Sequence, residues 1–392
     1  MLLTIRNRPS RRTLPATMTA ITIRARLDRR EIARPGAMGK YRHVTVQPGE
    51  LAIPRPMEGQ ALVRIHYVAV CGSDVHAAQC DEQGWCRSSV PAAGWEHPGG
   101  QTLGHEYSGE VVAVGPGVDS AWLGRAVTGD SLIPCRCCRV CRQGSPNECP
   151  HGYLIGLEAS GVFSEFAVVP AHSLHSLGRL ARRLGEDAWA YGCLAEPLGV
   201  AAKALHEALR CLTPRAERSL LIHGGGPLGA CVGVTGRALG FNPVVVIEPL
   251  ASRRSVLVRC GLSAFDVDEL DGQDYPELFG PGAAVAVDVC GVAGTGDLLT
   301  GLRPAGVLVR LARTGRNAVM PQDLCITNGV KVVHSRGHVG YLRHALRWLV
   351  EGRIDPRPLI THQLTGLHEL YDWLHEPARF DRACKVVCRV ID

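Results

Sequence analysis

The chain has no run of about eighteen apolar residues, so no helix in it is expected to span a membrane. It does not open with a signal peptide, so its sixteen cysteines do not describe a secreted disulfide scaffold. They fit a reducing, cytoplasmic interior with metal-bound and free thiols. No internal repeat is present, and no low-complexity tract lies beyond the first 35 residues. Apart from one glycine-rich loop there is no phosphate-binding motif, so a phosphorylated substrate is not indicated. Net charge is also scarce. Residues 1–35 hold nine arginines against Asp28 and Glu31, which exceeds the formal +6 of the whole chain. The rest is close to neutral and offers no basic face for nucleic acid. The segment 1–35 reads as a disordered basic extension, with an Arg-rich targeting segment as the alternative and Met18 as a second candidate start.

What is present points first to two domains. At 392 residues the chain exceeds one ordinary core, and 46% hydrophobic with 20% charged residues is a globular balance. Cys135, Cys138, Cys141 and Cys149 are spaced x2, x2 and x7. Thiolates so close in sequence can converge on one tetrahedral zinc. Arg136, Arg139, Arg142, Gly144, Pro146 and Asn147 between them cannot build a core and suit a loop around an ion. A disulfide pair, or cysteines used as small apolar residues, are the competing readings. Cys137 reads as a spectator.

The texture changes along the chain. Ala61–Val70 and Tyr107–Val118 are strand-like, Asp81–Gly100 reads as a long surface loop, and after Glu196 apolar strands alternate with helical stretches. Leu220–His223, Val244–Ile247, Ala283–Val289 and Val307–Leu311 form that series and predict a doubly wound parallel sheet. Leu342, Ala345, Leu346, Leu349 and Val350 mark an amphipathic helix, and Lys385–Ile391 a last strand.

Gly224, Gly226, Pro227, Leu228 and Gly229 lie in a G-x-G-x-x-G run that follows a strand and opens a helix. Glu248 ends the next strand roughly twenty residues beyond, the context a dinucleotide fingerprint requires. The phosphates would sit on the helix N-terminus. Glu248 would accept from the adenosine ribose hydroxyls and repel a 2′-phosphate, favouring NAD over NADP, with Arg253 and Arg254 close by to weaken that preference.

A second donor set is spread over the first half: Cys71 in CGSDVH, His105 in GHE and Glu196 in LAEPL. Each alone reads as core filler, a loop histidine or a solvated acid. Together, thiolate, imidazole and carboxylate make a zinc set with an open position, which a catalytic zinc needs.

These stretches resemble the zinc-dependent medium-chain alcohol and polyol dehydrogenases, above all the sorbitol and butanediol branches. The match runs through CGSDVH from Cys71, TLGHEYSGEVVAVG from Thr102, the cysteine cluster with its trailing QGSPNEC, AEPLGVAAKAL from Ala195, GGGPLG from Gly224 and LRPAG from Leu302. The resemblance implies an α/β fold: a GroES-like, mostly β catalytic domain interrupted by a Rossmann domain. It also implies a catalytic zinc on Cys71 and His105, with Glu106 ligating or orienting and Glu196 as the acidic ligand. Cys193 keeps a two-cysteine variant open. The cysteine cluster becomes a structural zinc lobe, and Ser73 and His76 a proton relay. The chain divides accordingly into the extension (1–35), the catalytic domain (36–197), the NAD domain (198–340) and a C-terminal return (341–392). The stretch between Cys71 and His105, with Cys80, Trp85, Cys86, Trp95 and His97, is longer than in sorbitol dehydrogenase-like members and closer to the butanediol branch.

The resulting expectation is NAD-linked oxidation of a secondary alcohol in a polyol, diol or cyclitol-like substrate, with Arg253 helping to hold the cofactor. Competing classes are an aldehyde, aminocyclitol or activated-sugar dehydrogenase on the same fold, and a zinc-stabilised nucleic-acid-binding protein, which the neutral body disfavours. A sheet edge near Val330–Val333 suggests a homodimer or homotetramer. His334, Arg336 and His338 could reach the cofactor or a subunit contact, or be solvated loop residues.

Overall fold

The computed structural model describes residues 14–28, 41–88, 93–96, 100–213, 217–269, 278–291, 295–312 and 320–391. The arginines at positions 6–12 and 29–34, and His97, lie outside them.

Part of the N-terminal extension is ordered, against expectation. Thr17–Leu27 is a strand that pairs antiparallel with Tyr41–Ala52 and with Gln101–Thr102. The reason is written in its alternation. Ile21, Ile23 and Ala25 enter the core of the first domain while Arg24 and Arg26 stay exposed. Each isoleucine so buried contributes about 1.5–3 kcal/mol, which outweighs the charge that suggested disorder.

The main sheet of the first domain runs in the order Leu174–Ser176, Ala126–Gly129, Glu106–Val114, Gln60–Ala69, Lys385–Arg389, Ile360–Thr365, and Phe166–Pro170 also pairs with Gln60–Ala69. The two C-terminal strands thus return to the first domain's sheet. Val387 lies opposite Ala69 and Cys388 opposite Val68, which carries Lys385 in beside Glu106.

The second sheet is wholly parallel, in the order Ser263–Phe265, Val244–Ile247, Leu220–His223, Ala283–Asp288, Leu302–Arg310, Lys331–His334. Counted within the domain this is 3-2-1-4-5-6, the Rossmann order. Its central strands are near-continuous apolar runs, ending in His223 and Asp288, because helices cover both faces. The helices Ala195–Cys211 and Leu342–Glu351 pack on each other, the latter through Leu342, Ala345, Trp348 and Leu349.

The Asp81–Gly100 stretch is not simply a surface loop. Cys86 and Trp95 are buried, and the Trp95 ring meets Tyr41 at 5.2 Å between centroids. Two apolar anchors tack an otherwise polar segment to the core.

Candidate zinc centres and dinucleotide cleft

The four spaced cysteines form one group whose sulfurs all lie within 4.8 Å of one another. Cys149 Sγ is 3.5 Å from Cys135 Sγ and 3.8 Å from Cys138 Sγ. A tetrahedron with Zn–S bonds of about 2.3 Å has edges of about 3.8 Å, so the residues fit zinc. Backbone N–H groups of Cys135, Cys138 and Cys141 each donate to a cluster sulfur at 3.4 Å. Such donors stabilise thiolates: the N–H groups of Cys137 and Cys138 pull the Cys135 thiol down to about 6. Cys137 is exposed and stands outside the group.

Cys71, His105 and Glu106 form a second group, again within 4.8 Å. Cys71 caps the helix Gly72–Ala77, and its N–H donates to Asp74 Oδ2 at 3.0 Å. Asp74 Oδ1 lies 3.2 Å from His105 Nδ1, so one fully buried carboxylate orients both donors. Glu106 Oε2 accepts from Lys385 Nζ, which also donates to Val70 O at 3.0 Å. Burial alone would depress the Lys385 ammonium; Glu106 overrides it and holds the pKa above the ordinary lysine value. Glu106 Oε1 is buried with no hydrogen-bond partner among the described residues. An unsatisfied carboxylate oxygen beside a thiol and an imidazole is what a cation would fill, and the set fits zinc. Sequence reasoning missed Asp74 and Lys385. Asp74 carried a weak signal in its place three residues after Cys71, and Lys385 carried none.

Glu196 falls outside this group, although its charge is felt at Glu106. Its Oε1 accepts from Ser131 Oγ at 2.7 Å and lies 3.3 Å from His338 Nδ1. A buried carboxylate needs partners, and here it finds them in Ser131 and His338. His338 is therefore neither at the cofactor loop nor solvated but almost fully buried, whereas His334 and Arg336 are exposed. Cys193 is a core cysteine: its Sγ donates to Ala190 O at 2.9 Å, and burial pushes its thiol up.

The glycine-rich turn has the geometry its composition anticipates. Gly224 has φ of 101°, and a Cβ on Gly229 would lie 1.9 Å from Gly224 O. Gly226 caps the helix Pro227–Ala238, with Pro227 at its first position and Leu228 next. Glu248 is buried and accepts from the N–H of Gly225 at 2.7 Å and of Leu250 at 2.9 Å. The two neighbouring arginines differ. Arg254 is tied to Asp266 at 2.6 Å, while Arg253 lies near Gly226 and donates to Phe380 O at 3.0 Å.

A third donor group, His223, Asp288 and Cys290, sits at the ends of the two central parallel strands. Asp288 Oδ1 accepts from the N–H of Cys290 and Gly291, and Oδ2 is 3.0 Å from Arg310. The carboxylate thereby ties the turn after the strand through Oδ1.

One cavity of about 390 Å³ joins the parts. Cys71, His76 and Arg87 line one side, Pro227 and Arg253 the other, with Phe380 of the C-terminal segment between. His76 is held below the ordinary histidine pKa, by burial first and then by Arg87. Ser73 does not line the cavity; its Oγ is buried without a hydrogen-bond partner among the described residues.

Residues 57–179 match the alcohol dehydrogenase GroES-like domain. The L-threonine 3-dehydrogenase of Pyrococcus furiosus is 30% identical over 347 residues, covering 86% of this chain and 93% of that protein. Among solved structures, the 2R,3R-butanediol dehydrogenase of Bacillus subtilis superposes with a TM-score of 0.78 at 21% identity, over 95% of this chain and 100% of that one. Alcohol dehydrogenase TADH from Thermus sp. ATN1 gives 0.75 at 22%, over 95% and 100%. The structural matches speak for the fold, and the sequence match over nearly the whole of a named dehydrogenase speaks for descent: this chain belongs to the zinc-dependent medium-chain alcohol and polyol dehydrogenases.

Proposed function

We propose that the enzyme oxidises the secondary alcohol of a polyol, diol or cyclitol-like substrate to a ketone, with NAD as partner. The observation that carries this is a cavity of about 390 Å³ lined by Cys71 and His76 together with Pro227 and Arg253. When bound, zinc on Cys71, His105 and Glu106 would supply Lewis-acid polarisation of the alcohol oxygen, and NAD a hydride acceptor. The chain's own residues supply position and a proton path. Asp74 fixes His105, and Lys385 balances the charge that Glu106 brings. His76, which lines the cavity, receives the hydroxyl proton, and Ser73 Oγ, buried off the lining without a protein partner, is the relay hydroxyl that the family resemblance implies. His76 is neutral at pH 7 because burial and Arg87 depress its pKa, so it can accept. Gly224–Gly229 cradle the pyrophosphate, and Glu248 with Arg253 reads the adenosine ribose. The cysteine cluster holds a structural zinc. The edge strand Lys331–His334 pairs across a two-fold axis in a homodimer or homotetramer, and the thiolate-rich chain works in the cytoplasm.

One observation favours a variant of this reading. Arg87 on the cavity wall has no acidic partner among the described residues and could hold a substrate carboxylate, as a 2-amino-3-hydroxy acid would offer. The zinc-loaded protein should be offered polyols, diols, inositols, aminocyclitols and L-threonine while NADH absorbance is followed. Activity on at least one secondary alcohol that disappears on chelation is expected. Full-rate NAD reduction by the chelated enzyme would sink the proposal.

A further inference from the structure

The loop after the last Rossmann strand does something that neither domain requires for its own fold. Asn147, inside the cysteine lobe and itself buried, grips it twice. Val339 N–H donates to Asn147 Oδ1 at 2.9 Å, and Asn147 Nδ2 donates to Val339 O at 3.3 Å. The grip is close: a Cβ on Gly337 would come within 2.7 Å of Asn147 Oδ1. Held there, His338 is buried at 1% exposure. Ser131 N–H donates to His338 Nε2 at 3.1 Å, with Asp130 Oδ1 3.6 Å from the same nitrogen, and Nδ1 lies 3.3 Å from Glu196 Oε1 as a charge contact without hydrogen-bond geometry. Ser131 Oγ–H reaches the same Glu196 oxygen at 2.7 Å.

We propose that His338 is a positioning residue: fixed by Asn147 of the cysteine lobe, it tethers Glu196 away from Cys71, His105 and Glu106 and so keeps a coordination position open. The proposal rests on the catalytic-zinc reading above. It assigns the structural lobe a reach into the active site along a continuous path, from Asn147 through the 335–341 loop and His338 to Glu196. The physical ground is that a buried carboxylate goes where its donors are. Remove the donors and a cation held by Cys71, His105 and Glu106 would compensate the carboxylate. Because this loop leaves the Rossmann sheet directly, a shift of that domain would be felt at Glu196.

The test uses full-length holoprotein with Co²⁺ exchanged into the catalytic site. The visible ligand-field bands and the rate of metal release to a chelator are read. Expected is a change in band position and intensity for His338→Leu, strengthened in the Ser131→Ala/His338→Leu pair. Metal release should become about tenfold slower as Glu196 joins the ion, and kcat should fall more than KM changes. Asn147→Ala should move the bands the same way, His338→Asn should keep the parent spectrum, and adding Glu196→Gln to His338→Leu should reverse the change. Parent-like bands and release rates in the folded His338→Leu and paired variants overturn the proposal, as does a change that survives Glu196→Gln. A parent that takes cobalt only at the four cysteines sinks the catalytic-zinc reading as well.

Discussion

Two donor groups in this molecule are built in opposite ways. The cysteine cluster is local: four sulfurs come from one stretch, Cys135–Cys149, arranged by the chain's own turns and backbone N–H donors. The Cys71, His105 and Glu106 group is assembled from a strand end, a helix start and a C-terminal strand that returns to lie beside them, with Lys385 closing it from the far end of the chain. The local group has four like donors and leaves no position open. The distributed group has three unlike donors, an unsatisfied carboxylate oxygen and one member, Cys71, on a cavity wall. Dense ligation stabilises, and sparse ligation leaves room for a substrate.

The contrast can be broken by substitution, starting where the effect should be largest. His105→Ala should cut turnover by about a thousandfold, roughly 4 kcal/mol in the barrier, in a protein whose circular dichroism is unchanged. Metal analysis should then show zinc retained at the cysteines alone. Cys141→Ser should do the reverse: a melting temperature lower by roughly 5–10 °C from a loss of a few kcal/mol, with turnover at 25 °C reduced only a few-fold. A stable, folded and inactive Cys141→Ser enzyme would contradict the division of labour between the groups. The smallest effect concerns the relay. Arg87 helps hold the His76 pKa down, so Arg87→Ala lets it rise. His76 then becomes protonated at a higher pH, and the acidic limb of the kcat/KM profile should move to higher pH. An unmoved limb would remove His76 from the proton path.

The same contrast explains what could be read in advance. Leu220–His223 and Val244–Ile247 were legible to the residue because fully buried parallel strands are continuous apolar runs between turn signals. The glycine loop was legible because the backbone conformation at Gly224 and the close approach at Gly229 exclude other residues. Cys71, His105 and Glu106 were readable as donor types, and the structure brings them together. Glu196 was readable as a donor too, yet its direction depends on Ser131 and His338, which no spacing rule connects to it. The strand Thr17–Leu27 was hidden by charge: its arginines dominated the count, while burial followed the alternating isoleucines.

Residue type and short-range spacing by themselves determined the cysteine cluster, the dinucleotide turn and the succession of strands and helices. These depend on ligand chemistry, backbone freedom and hydrophobic period within a few turns of chain. Tertiary structure alone decided that Lys385 faces Glu106, that Asp74 orients His105, and that Glu196 turns towards His338. The reason is physical: where a buried charge points is set by the partners that folding delivers to it from distant parts of the chain.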